Sequence, residues 1–186
     1  MSLWRRICEW GTTRDEIAAD WPCDRRARPG EVSYFRGVDV DAEPARVFRW
    51  LCQLKAAPYS YDWLDNGGRQ SPRRLTPGLE RLATGQRVMA IFELVDFVRD
   101  RSMTLVSGDS AWLGRVVVTY QALPRAGGGT RLLARLRITY RNHPIGWLAR
   151  LGLPFGDWIM MRKQLLTLKE LAEATADGAQ AEGSGP

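Results

Sequence analysis

Few side chains in this 186-residue chain have the type and spacing for chemistry. Asp62 and Asp65, in the run YSYDWLDN, stand three apart, so on one helical turn their carboxyls share a side. Mutual repulsion would then raise one pKa toward acid–base work. The same residues suit the capping of short turns, which is the commoner use of Asp beside Asn and Gly. Glu93, in MAIFELVDF, is set among apolar residues, with Met89, Ile91, Val95 and Phe97 on its side of a two-residue repeat. Facing inward, its burial would make it a proton donor or a polar anchor for a ligand carbonyl or hydroxyl; facing outward, it is one solvated charge. His143 is the single histidine, which excludes any site needing two imidazoles, and its place beside Pro144 reads as a junction. Cys8, Cys23 and Cys52 are odd in number and without a CxxC pair, so they read as reduced thiols. Gly127 to Gly129 lack the residues that follow a phosphate cradle and read as a hairpin turn. No metal and no cofactor is expected.

Composition narrows the classes further. The length suits one domain with terminal decorations, and 45% hydrophobic with 26% charged residues reads as globular. No stretch reaches the roughly 18 apolar residues of a membrane span, and the opening MSLWRRICEWGTTRDE has no signal-like apolar region, so the expected address is the cytoplasm. The net charge of +6 comes from 24 Arg and 3 Lys. These are spread along the chain, which favours solvated faces over a nucleic-acid site.

The periods give the elements that must position any site. Residues 1–30, with Trp4, Cys8, Trp10, Trp21 and Cys23, form an extension ending at Arg28, Pro29 and Gly30 and expected to pack on the domain. A short helix should start behind Thr12 or Thr13. Residues 31–40 alternate as a strand, and 43–55 carry Val47, Phe48, Leu51 and Leu54 at helical spacing behind Pro44. The next thirty residues are rich in Pro and Gly yet hold Tyr59, Tyr61, Trp63 and Leu64, so they should fold back over the core. Strands are expected at 86–99, 102–108, 114–123 and 130–141, pairing antiparallel. In the last, Leu132, Ala134, Leu136, Ile138 and Tyr140 share a face toward a core, while Arg131, Arg135, Arg137 and Arg141 share the other, toward water. A break is expected at Gly152, Pro154 and Gly156, with Asp157 capping a long helix whose stripe is Trp158, Met161, Leu165, Leu168 and Ala172. From 175 to 186 the tail reads as disordered, which leaves 31–174 as the domain.

This order is α+β: a curved antiparallel sheet holding a long C-terminal helix, with leftover space between them as a candidate pocket. The runs VDVDAEPARVFRWLCQL, APYSYDWLDN, the Gly85–Gln86 step and GDWIMMRKQLLTLKELAE resemble the START and Bet v 1-like superfamily. Within it, the match is to the SRPBCC branch of polyketide cyclases/dehydrases and lipid transport proteins. The resemblance covers about residues 8–174. The lead EWGTTRDEIAADWPCD also resembles a WGAT-type segment that commonly ends in Pro-Gly-Asp, with Cys23 here in place of the glycine. The resemblance implies a helix-grip fold with an apolar cavity, and members that bind lipids, sterols or polyketides or cyclise them.

The expected ligand set is Tyr61, Trp63, Ile91, Glu93, Trp112, Tyr120, Trp158 and Met161, with Arg36 as a further orienting group. The expected function is binding of an apolar or amphipathic small molecule. Two alternatives stand beside it: a cyclase or aldol-type enzyme using a cavity carboxylate and tyrosine, and an interaction module docking a partner through the Trp-rich extension. The sequence does not set the oligomeric state.

Overall fold

The computed structural model describes the backbone of residues 3–110, 114–140 and 144–182, with side chains throughout except at 144–149 and 175–182. In chain order the elements are α1 (Leu3–Cys8), β1 (Glu9–Trp10), α2 (Arg14–Ala18), β2 (Val32–Val40), α3 (Pro44–Cys52) and α4 (Asp62–Asp65). There follow β3 (Arg87–Val88), β4 (Phe92–Val98), β5 (Ser102–Ser107), β6 (Val116–Pro124), β7 (Thr130–Ile138) and α5 (Pro144–Glu182). The strands form one seven-stranded sheet in the order β1-β2-β7-β6-β5-β4-β3. Every pairing is antiparallel except that of β1, which lies parallel on the edge of β2.

Alternation places the core. Leu132, Ala134, Leu136 and Ile138 of β7 lie beside Val118, Tyr120 and Ala122 of β6, and all face α5. The helix answers with Met161, Leu165, Leu168 and Ala172, spaced three and four apart as its period requires. Pro44 opens α3 where a missing N–H costs nothing, and Val47, Phe48 and Leu51 turn its apolar side into the same core. Each such side chain contributes about 1.5–3 kcal/mol on burial.

The opposite face of the sheet is covered, where the arginine alternation of β7 predicts water. Trp21 and Cys23 pack there on Phe35, Val117 and Leu133, with the Trp21 and Phe35 rings edge-on at 6.0 Å. The arginines meet acids carried in by the extension: Arg131 pairs with Glu16 at 2.7 Å, and Arg135 and Arg137 reach Asp24 at 2.7 and 2.6 Å. Arg137 also holds Glu31 at 2.8 Å. Thr13 and Glu16 cap α2 reciprocally, so Glu16 serves helix and sheet together. Gly11 lets the extension close down: a Cβ there would lie 2.1 Å from the Gly37 carbonyl oxygen, and its φ of 72° suits glycine.

Two elements differ from expectation. The run 86–99 is broken after β3 by Met89 and Ala90, both at positive φ (48° and 61°), and a register shift follows between Leu94 and Asp96. Helix α5 runs unbroken through Gly152, Pro154 and Gly156. Asp157 is therefore an interior helical residue and caps nothing.

Candidate functional site

A cavity of about 420 Å³ lies between the sheet and the first half of α5, within the range of small-molecule sites. Val116, Val118 and Tyr120 of β6 and Leu136 and Ile138 of β7 form the sheet wall. Leu153, Gly156, Asp157, Met160, Met161 and Gln164 form the helix wall. These fall on one side because 153, 156, 157, 160, 161 and 164 follow the helical period. The Met89–Phe92 turn, Pro58, Ser60 and Asp65 close the rim.

The few polar groups in the wall are largely tied to one another. Tyr120 donates its hydroxyl to Gln164 Oε1 at 2.7 Å, and Gln164 Nε2 donates to the Pro58 carbonyl at 2.6 Å. Burial drives the Tyr120 hydroxyl well above the usual tyrosine value, so it stays protonated. Asp157 meets Arg36 with Nη2 2.6 Å from Oδ2, a pair almost wholly out of water. Burial still lifts the Asp157 carboxyl, against the pull of that guanidinium. Arg36 Nη1 also donates to the carbonyls of Cys8 and Phe35, tying β2 to the end of α1. Burial raises Asp65 as well, opposed by the Ser60 hydroxyl and a backbone N–H. Its neighbour Asp62 is structural, accepting from the Ser71 backbone N–H at 2.8 Å and the Ser71 hydroxyl at 2.5 Å.

Of the residues expected from the sequence, Tyr120, Met161 and Ile91 line the cavity, Ile91 at its rim and 68% exposed. Glu93 does not. Leu94, its neighbour, is fully buried, so Glu93 points the other way and is exposed beside Val95 and Val106 in a shallow hollow. Its apolar neighbours two residues away mark that outer hollow, not the core. Trp63 is 74% exposed, and Tyr61 is half-buried ahead of α4 and off the wall. Trp158 leans on Phe155 at 5.8 Å, also off the wall. Arg36 lies behind the wall, committed to Asp157. Trp112 and His143 lie outside the described residues.

Reading the sequence alone missed Gln164 and the inward side of Asp157 and Asp65. The continuous helical period through Pro154 carries the signal for the first two; none marks Asp65 apart from Asp62. Among the described residues no group of three or more His, Cys, Asp or Glu could hold a metal, and no helix is long and apolar enough to cross a membrane.

No family model matches the chain, and no curated protein matches it. Solved structures do. A protein of Mesorhizobium loti superposes with a TM-score of 0.50 at 16% identity, over 77% of this chain and 98% of its own. One from Rhizobium leguminosarum gives 0.50 at 14%, over 77% of this chain and 95% of its own. The di-domain ARO/CYC StfQ from the steffimycin biosynthetic pathway gives 0.52 at 13%, over 83% of this chain and 55% of its own. With its sheet gripping a long C-terminal helix, this chain has the helix-grip α+β fold, the architecture it shares with these solved structures.

Proposed function

We propose that the chain binds an apolar or amphipathic small molecule, of the lipid or polyketide kind, between its sheet and α5. The observation that carries this reading is the cavity itself: about 420 Å³ walled by Val, Leu, Ile, Met and Phe side chains. Removing about 200 Å² of ligand apolar surface from water is worth roughly 5 kcal/mol before the costs of association. The likeness in fold to an ARO/CYC protein supports the same class of guest.

The cyclase alternative needs a cavity carboxylate and a tyrosine converging on one substrate position. The carboxylate expected for it, Glu93, is on the outer face, and Tyr120 is engaged with Gln164. The wall does hold two carboxyls, Asp65 and Asp157, but the second is paired with Arg36 and the tyrosine is committed to Gln164, which favours holding over transforming. The partner-docking alternative loses Trp21, which the extension uses against its own sheet. Four arginines are engaged inside the molecule, on Asp24, Glu16, Glu31 and Asp157.

Native mass spectrometry of the purified chain tests the reading directly. A co-purifying apolar adduct, or a thermal shift with Nile red or a panel of fatty alcohols and polyketide aromatics, is the expected result. A protein that carries no adduct and responds to none of them is not a carrier.

A further inference from the structure

The cavity wall has a one-sided chemistry. Among its described lining residues there is no lysine, arginine or histidine, and its carboxyls are those of Asp65 and Asp157. Asp157 is answered by Arg36, whose side chain is fully buried behind it and does not line the space. Asp65 has no such answer. Its Oδ1 is shut away from water and has no hydrogen-bond partner. The nearby donors leave Oδ1 unmet: Gln164 Nε2 is used on the Pro58 carbonyl, the Tyr120 hydroxyl on Gln164, and the Ser60 hydroxyl, which acts on the Asp65 carboxyl as a whole, donates to the Met160 carbonyl at 3.2 Å.

A buried acceptor left without a donor destabilises the empty protein, and a guest that supplies the donor relieves that penalty. A guest ending in a carboxylate would do the reverse, adding negative charge beside Asp65, with Asp62 close by on the same short helix. It would also find no free cation in the wall. Resting on the binding function above, we propose that the cavity selects an apolar molecule whose polar end is a hydrogen-bond donor, a hydroxyl or an ammonium, set against Asp65 Oδ1. It rejects the same body ending in a carboxylate.

Three probes with one apolar body isolate this choice: naphthylethylamine, naphthylethanol and naphthylacetic acid, titrated calorimetrically at pH 7. The unaltered chain should bind the amine and the alcohol at least about tenfold more tightly than the acid. Asp65→Asn should erase most of that preference. An amine ahead of the alcohol, with an advantage that fades in high salt, identifies an ammonium guest; parity or the reverse identifies a hydroxyl. An acid that binds as tightly as the amine and alcohol overturns the selectivity but leaves the binding function standing. A preference unchanged in Asp65→Asn removes Asp65 from the account. Failure of all three probes to bind removes both proposals. The ranking on the unaltered chain holds whether or not the variant folds.

Discussion

Arg36 on β2 and Asp157 on α5 meet at 2.6 Å behind the cavity, the one 0% and the other 11% exposed in its side chain. They join the sheet to the helix, and through the Cys8 carbonyl they join both to α1. Burial lifts the Asp157 carboxyl, against the pull of the guanidinium.

Breaking such a pair and replacing it have different costs. Asp157→Ala leaves a buried guanidinium without its counter-charge and should lower unfolding free energy by about 3–5 kcal/mol in urea titrations. The double change Arg36→Met with Asp157→Leu should recover most of that loss. Equal destabilisation by the single and double changes would show that the pair is net stabilising.

The covering of the outer face should fail in acid. Burial alone would raise Glu16 and Glu31, but hydrogen bonds from Arg131 and Arg137 and from the backbone hold both below the ordinary value of 4.5. A carboxyl lowered in the folded state contributes stability that is complete above its unfolded value and is lost as pH falls through the folded one. Buried Trp21 should therefore redden in fluorescence as pH drops from 4.5 downward. Glu16→Gln with Glu31→Gln should flatten that dependence; a profile left as steep would place its origin elsewhere.

Filling the cavity separates binding from folding. Val118→Phe puts a ring into open space, so unfolding free energy should move by less than about 1.5 kcal/mol. Nile red affinity should fall at least about tenfold for lack of room. Undiminished binding in the folded variant would put the guest somewhere else.

Two glycines form a matched test of the extension. Both Gly11 and Gly30 have positive φ, 72° and 78°, but a Cβ meets the Gly37 carbonyl at 2.1 Å in the first and nothing within 4 Å in the second. Gly30→Ala should cost about 1 kcal/mol, the strain of the backbone alone. Gly11→Ala should cost more and should raise protease cleavage before residue 31.

The architecture was legible because periods of two and of three to four residues act over long stretches of β6, β7 and α5. Tyr120 and Met161 lie on the apolar sides of their elements for the same reason. Asp157 was misread for a physical reason: Gly152, Pro154 and Gly156 are helix breakers in isolation, yet α5 continues through them, so a residue resembling a cap is a buried partner. Glu93 turned on a reversal at Met89 and Ala90, where no glycine announces the positive φ. The covered arginine face was illegible for want of a local signal, since its partners lie about a hundred residues away.

That distance has an evolutionary corollary. Asp24 sits between Arg135 and Arg137 from 111 and 113 positions away; Arg137 has Glu31 besides, so replacing Asp24 takes the counter-charge from Arg135, which lies over the Phe35 ring. Drift in this sheet is therefore tethered to drift at the amino terminus, and viable descendants should alter the two ends of the chain in tandem.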